Sequence, residues 1–183
     1  MHALGTLSFR QFMSEILAIY PGSFDPITNG HLDLIERGSQ IFNRLIVAVL
    51  TNLEKDPLFT VPERVEMLQE ATRGIPNVSV DTFSGLLVDY ARQKQAKALM
   101  LGIRAFTDYE YELQMALMNR KLAPDLETVF LMPALSLTYV SSRLVREVFQ
   151  LGGSVNGLVP SWVEERLQQK VFQGKTQKTE ANS

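Results

Sequence analysis

The sequence predicts an α/β fold, a Rossmann-like doubly wound five-stranded parallel sheet in a single domain. Three observations lead there. Short β-branched runs alternate five times with longer helical stripes along the 183 residues. Two of the runs, LIVAVL and ALML, scarcely alternate in polarity, as strands buried on both faces of a parallel sheet do. The length suits one core, since a domain of this size buries about 70% of its unfolded surface.

The expected strands are 16–20 (ILAIY), 45–51 (LIVAVLT), 78–83 (VSVDTF), 98–101 (ALML) and 128–132 (TVFLM). Between the first two, 31–42 carries Leu32, Ile35 and Phe42 on one side and reads as a helix. Thr60-Val61-Pro62-Glu63 has the form of a capping box, followed by a stripe of Val65, Leu68 and Ala71. Further helices are expected at 86–94, at 109–122 and from Ser141 or Ser142. Ser161-Trp162-Val163-Glu164 reads as a second capping box opening the last helix. Residues 1–13 lie ahead of the pattern and read as a disordered extension, and 14–172 as the domain. The polar tail 173–183, rich in Lys and Thr, reads as disordered.

Composition narrows the function. The chain has no cysteine, which excludes disulfides and cysteine-ligated metals and fits a reducing cytoplasm. A formal net charge of -2 argues against a general nucleic-acid or membrane-surface binder, so an anionic ligand needs a local cluster of positive groups. No apolar run approaches the roughly 20 residues that span a bilayer. The first dozen residues hold one arginine and no apolar core long enough for a secretory signal.

The densest segment is Tyr20-Pro21-Gly22-Ser23-Phe24-Asp25-Pro26-Ile27-Thr28-Asn29-Gly30-His31, which leaves the first strand and enters the first helix. Its glycines permit close approach of the backbone to a ligand, and its prolines stiffen the turn. Ligands of doubly wound sheets bind at the carboxyl ends of strands, where this segment falls. The helix start offers N–H groups and a positive dipole end to a phosphate, and His31, in the first turn, can donate to the same anion. His2 has no comparable setting.

Thr28-Asn29-Gly30-His31 resembles the T/H-x-G-H motif of the nucleotidyltransferase superfamily. The longer string YPGSFDPITNGH resembles the bacterial phosphopantetheine adenylyltransferases. The likeness continues through Phe59-Thr60-x-x-Glu63-Arg64, Gly102-Ile103-Arg104-Ala105, Asp108-Tyr109-Glu110-Tyr111-Glu112, Met118-Asn119-Arg120 and Val140-Ser141-Ser142-x-x-Val145-Arg146-Glu147, covering about 14–172. The resemblance implies in-line attack of a phosphopantetheine phosphate on the α-phosphorus of ATP, with His31 as the catalytic residue. For ATP it implies Ser23, Phe24, His31, Gly102, Ile103, Arg104, Glu112 and the stretch Leu137, Thr138, Tyr139, Val140, Ser141, Ser142 and Arg143. For the acceptor it implies Ser23, Lys55, Leu87 and the position of Leu101. Leu87 could equally pack the core, and Ser141 and Ser142 could equally be helix caps.

One residue departs from that pattern. The family has Arg-Gly-x-Arg where this chain has Leu101-Gly102-Ile103-Arg104. An arginine on the acceptor phosphate is worth about 1.5–3 kcal/mol, so its loss would weaken acceptor binding about 10- to 150-fold unless another cation compensates. The resemblance further implies Mg²⁺ arriving with ATP rather than in a protein cage, dephospho-coenzyme A or coenzyme A as further ligands, and a homohexamer. No nucleic acid or membrane partner is expected. Two alternatives remain: a related nucleotidyltransferase with another phosphorylated acceptor, and an ATP- or coenzyme A-binding protein with impaired turnover.

Overall fold

The computed structural model describes residues 15–51, 57–104 and 106–180. The five apolar runs become strands β1 (Leu17–Gly22), β2 (Arg44–Leu50), β3 (Val78–Phe83), β4 (Ala98–Gly102) and β5 (Glu127–Leu131). They form one sheet in the order β3-β2-β1-β4-β5, with every neighbouring pair parallel. The runs without alternation lie inside: Leu17 to Tyr20, Leu45 to Val49 and Ala98 to Leu101 are buried, whereas β3 and β5 form the half-exposed edges.

Helices cover both faces. Helices α1 (Asn29–Ile41), α2 (Val61–Thr72), α5 (Ser142–Gln150) and α6 (Ser161–Glu180) bury Ile35, Leu68, Val145 and Leu167 against Ala18, Val47 and Met100. The other face packs Ile19, Ala48 and Leu99 against Val88 and Ala91 of α3 (Leu87–Lys94), and against Ala123 just beyond α4 (Phe106–Leu122). Alternate residues of one strand thus feed two cores, as the period of two requires. Gly38 lets α1 lie close to the sheet, because a Cβ there would come within 2.5 Å of Met100 Sδ.

The capping box at Thr60 forms: its N–H donates to Glu63 Oε2 at 2.7 Å, and its hydroxyl accepts from Glu63 N–H at 3.4 Å. The one expected at Ser161 does not. Helix α6 starts at Ser161 itself, and the Pro160 carbonyl accepts the N–H groups of Val163 and Glu164. Proline presets the helix entry, so the serine is taken into the first turn. The same helix runs to Glu180, so 173–180 are helical where composition predicts disorder. The extension 1–13 and residues 181–183 lie outside the described residues.

Two features of the sheet shape the site. Strand order reverses at β1, between β2 and β4, which is where doubly wound sheets open a crevice. The β1–β4 ladder is also short. It pairs Ala18 with Ala98 and Ile19 with Leu99 and then ends, although both strands continue. Tyr20 to Gly22 and Leu101 to Gly102 therefore flank an opening.

The turn after β1 is held from beneath by Asp25, which is fully buried. Its carboxylate accepts from Leu58 N–H at 2.9 Å, Phe59 N–H at 2.8 Å and Arg146 Nη1 at 2.7 Å, with Arg64 Nε at 3.5 Å. Arg64 further donates to the carbonyls of Phe59 and Ser23. Removing the carboxylate would leave two buried or half-buried guanidiniums facing each other. Asp25→Ala is expected to lower stability by about 3–5 kcal/mol, read from the urea midpoint. Asp89→Ala, which breaks an exposed pair with Arg92, should cost less than about 1 kcal/mol.

Candidate active site

The site begins with the geometry of the turn. Phe24 adopts φ +49°, a left-handed conformation costly for a side chain other than glycine. That conformation swings its ring back over Gly22, where a Cβ would lie 2.8 Å from the ring, so glycine is needed there. The ring meets Tyr20 edge-on at 5.4 Å and the imidazole of His31 edge-on at 5.1 Å. A strained backbone thus places an apolar wall beside a half-buried histidine.

His31 sits three residues into α1 from its cap, Thr28. The Thr28 hydroxyl accepts from His31 N–H at 3.3 Å, and the Thr28 N–H donates to His31 Nδ1 at 3.1 Å. Burial, aided by the nearby Arg104 guanidinium, pushes the His31 pKa down to about 4. The imidazole is therefore neutral at neutral pH. Burial likewise raises the pKa of Tyr20 well above the usual phenol range and keeps it protonated.

From β4 the chain delivers Arg104, whose Nη1 donates to the Val140 carbonyl at 3.0 Å and so ties the end of β4 to the entry of α5. At that entry the Ser141 hydroxyl caps α5 by accepting from Leu144 N–H at 3.0 Å. The Ser142 hydroxyl donates to the Pro26 carbonyl at 2.7 Å.

These parts enclose a polar cavity of about 280 Å³ at the open ends of β1 and β4, lined by Ser23, Thr28, Gly30, His31, Arg104, Arg143 and Arg146 among others. A second cavity of about 480 Å³ adjoins it and is apolar, walled by Leu50, Phe83, Leu86, Leu87, Met115, Met118 and Leu122. Pro21, Ser23, Leu101 and Glu112 line both. The arrangement suits a ligand with an anionic end and a long, weakly polar arm: the anion meets arginines and a helix start, and the arm meets aliphatic side chains.

The cytidylyltransferase-like family matches residues 19–148. The chain belongs to that family. A phosphopantetheine adenylyltransferase of Desulfatibacillum aliphaticivorans is 54% identical over 86% of this chain and 90% of its own length. One from Caldanaerobacter subterraneus subsp. tengcongensis is 54% identical over 84% and 96%. A crystal structure of a candidate nicotinate-nucleotide adenylyltransferase from Vibrio parahaemolyticus shares the fold, with a TM-score of 0.61 at 15% identity, covering 85% of this chain and 99% of that one.

Within this family frame, the structure brings Ser23, His31, Gly102, Arg104, Glu112, Val140, Ser141, Ser142 and Arg143 to the polar cavity, and Leu87 to the apolar one. Leu101 stands where the two meet. Phe24 packs beside His31, and Ile103 N–H bonds the Leu131 carbonyl. Leu137 belongs to a 3-10 turn, Leu135–Leu137, followed by Thr138 and a largely exposed Tyr139. Lys55 lies outside the described residues. Sequence reasoning missed Thr28 and Arg146 in the polar wall. Thr28 carried a usable signal, a threonine three residues ahead of a polar residue at a helix start, and Arg146 lay inside a motif of the resemblance without being given a role. Among the described residues, no group of three or more His, Asp or Glu side chains could hold a metal ion.

The lowered His31 pKa has a thermodynamic consequence. Between about pH 6.5 and 4 the unfolded chain binds a proton that the folded chain refuses, so His31 favours folding above that window, and this support fades as pH falls through it. Stability measured against pH should drop less steeply there in His31→Asn than in the parent.

Proposed function

We propose that the chain transfers the adenylyl group of ATP to 4′-phosphopantetheine, releasing pyrophosphate and giving dephospho-coenzyme A. The observation that carries this reading is the junction of the two cavities at Ser23, Leu101 and Glu112. The polar side suits a triphosphate and the apolar side suits the pantetheine arm, so the acceptor phosphate meets the α-phosphorus between them. The names of the relatives support the same substrate pair.

In the reaction an acceptor phosphate oxygen bonds to the α-phosphorus, and the bond from that phosphorus to the oxygen bridging the β-phosphate breaks. Pyrophosphate leaves with the electron pair. The protein forms no bond to the substrates, so it acts by alignment and by stabilising the charge spread over the five-coordinate phosphorus. His31 contributes a neutral donor, Arg104 a fixed cation, and the start of α1 its N–H groups. Ser23, on the shared wall, touches both partners. Lys55 is assigned to the acceptor phosphate by family resemblance. ATP enters as its magnesium complex, the metal belonging to the nucleotide. Dephospho-coenzyme A and coenzyme A occupy the same two cavities.

We place the protein in the cytoplasm, a reading that rests on its cysteine-free sequence. No helix among the described residues is long and apolar enough to cross a membrane. We further assign it a homohexamer. Tyr111, Leu117 and Met118 on α4, together with Leu135, expose apolar side chains that such an assembly would cover. Light scattering at micromolar concentration should give six times the chain mass, and a monomer would remove this assignment.

Pyrophosphate release with MgATP and phosphopantetheine tests the activity. Nicotinamide mononucleotide, or glycerol phosphate with CTP, should give little, whereas preference for either would assign the chain to a related transferase. Leu101 favours a second reading, that of a binder with impaired turnover. It is 7% exposed and sets an apolar side chain where the acceptor phosphate passes. Leu101→Arg is expected to lower the acceptor KM by about 10-fold and to leave the ATP KM within about 2-fold. Nucleotide binding without pyrophosphate release in the parent would support the second reading.

A further inference from the structure

A helix start leaves N–H groups unpaired, and a capping box pairs two of them through the cap residue and the third residue beyond it. At α2 that third residue is Glu63, whose carboxylate accepts from the Thr60 N–H. At α1 the same position holds His31, and its Nδ1 takes the place of the carboxylate oxygen, 3.1 Å from the Thr28 N–H. The Thr28 hydroxyl is also 3.1 Å from Nδ1. A backbone N–H can only donate, so Nδ1 accepts and carries no proton while the contact lasts. In a neutral imidazole the proton then resides on Nε2.

We propose that Thr28 is a positioning residue that holds His31 in the Nε2–H tautomer, so that one imidazole closes the helix with Nδ1 and supplies a standing donor with Nε2. The use of that donor rests on the adenylyl-transfer reading; the tautomer does not. Phe24, edge-on at 5.1 Å, fixes the ring from the side. The titratable and charged groups facing the same cavity are Tyr20 of β1, Arg104 beyond β4, Glu112 of α4, and Arg143 and Arg146 of α5. Their excess positive charge opposes protonation of the ring, in keeping with a pKa near 4. Protonating Nδ1 would also set it against the Thr28 N–H. His31 therefore works as a neutral donor and never as a proton acceptor in the reaction.

The test is nitrogen-15 imidazole NMR on the full chain without ligands. The sequence holds two histidines, and His31→Asn identifies the signal. The Nε2–H tautomer is expected from about pH 8 to about pH 5.5. An Nδ1–H tautomer, or an imidazolium at neutral pH, overturns the proposal. Asparagine places an oxygen where Nδ1 was and nothing where Nε2 was. His31→Asn should thus melt within about 2 °C of the parent while turnover falls at least about 100-fold. His31→Ala, which also loses the Nδ1 half of the capping box, should melt about 2–4 °C lower. Thr28→Ser should keep turnover within about 2-fold. Thr28→Val, lacking the hydroxyl, should lose about 10-fold in kcat with the ATP KM little changed. Equal kcat in the serine and valine variants would overturn the positioning role of the Thr28 side chain and leave its backbone N–H as the lock. The expected tautomer with full turnover in His31→Asn would support the lock and overturn the adenylyl-transfer role of His31.

Discussion

A carboxylate removed from water is tolerated only where donors replace its hydration, and Asp25 gathers its partners from two distant parts of the chain, 58–64 and Arg146. Two are the backbone N–H groups of Leu58 and Phe59, just ahead of α2. A third is the guanidinium of Arg146, in the second turn of α5, and Arg64 of α2 adds an ion-pair contact at 3.5 Å. Asp25 follows Phe24 directly, so whatever fixes Asp25 also fixes the left-handed turn and the ring against His31. The cavity side of the turn is thus set from its buried side. Without Asp25, the entry to α2, the first turns of α5 and the loop after β1 would each need another reason to meet.

The electrostatics of the cavity run against those of the molecule. The whole chain carries a net charge of -2, yet three arginines and one glutamate line the polar wall. An anion far from the site gains little from the protein as a whole, and within a Debye length, about 8 Å at physiological ionic strength, it gains a good deal. The start of α1 adds to this. A glutamate at the third position, as in α2, would cap the helix and also neutralise its positive end. A neutral imidazole caps it without spending that charge, and no acidic residue stands in the first turn.

Much of the fold was legible in the sequence because strand periodicity and turn chemistry are local. LIVAVL and ALML announced buried strands, and Thr60-x-x-Glu63 announced a cap that forms. Ser161-x-x-Glu164 had the same signature and failed, since Pro160 precedes it and supplies the accepting carbonyl instead. The lining of the polar cavity was legible where it follows the motif, at Ser23, His31, Gly102 and Arg104. Arg146 stood inside a motif of the resemblance but its role was not legible, because a contact with Asp25 across 121 positions leaves no local pattern. Nor could sequence tell that Leu101 stands at the meeting of a polar and an apolar cavity, since that depends on how far the ladder between β1 and β4 continues.

That ladder ends after Ile19 and Leu99, so the width of the crevice is set by main-chain hydrogen bonding. Side chains beyond the break decorate a gap they do not create. Positions there that no ring closes over, as Phe24 closes over Gly22, can then change in charge or size while the frame keeps its shape. Leu101 is such a position. A point substitution at Leu101 can thus retune the mouth without breaking a main-chain pair between β1 and β4.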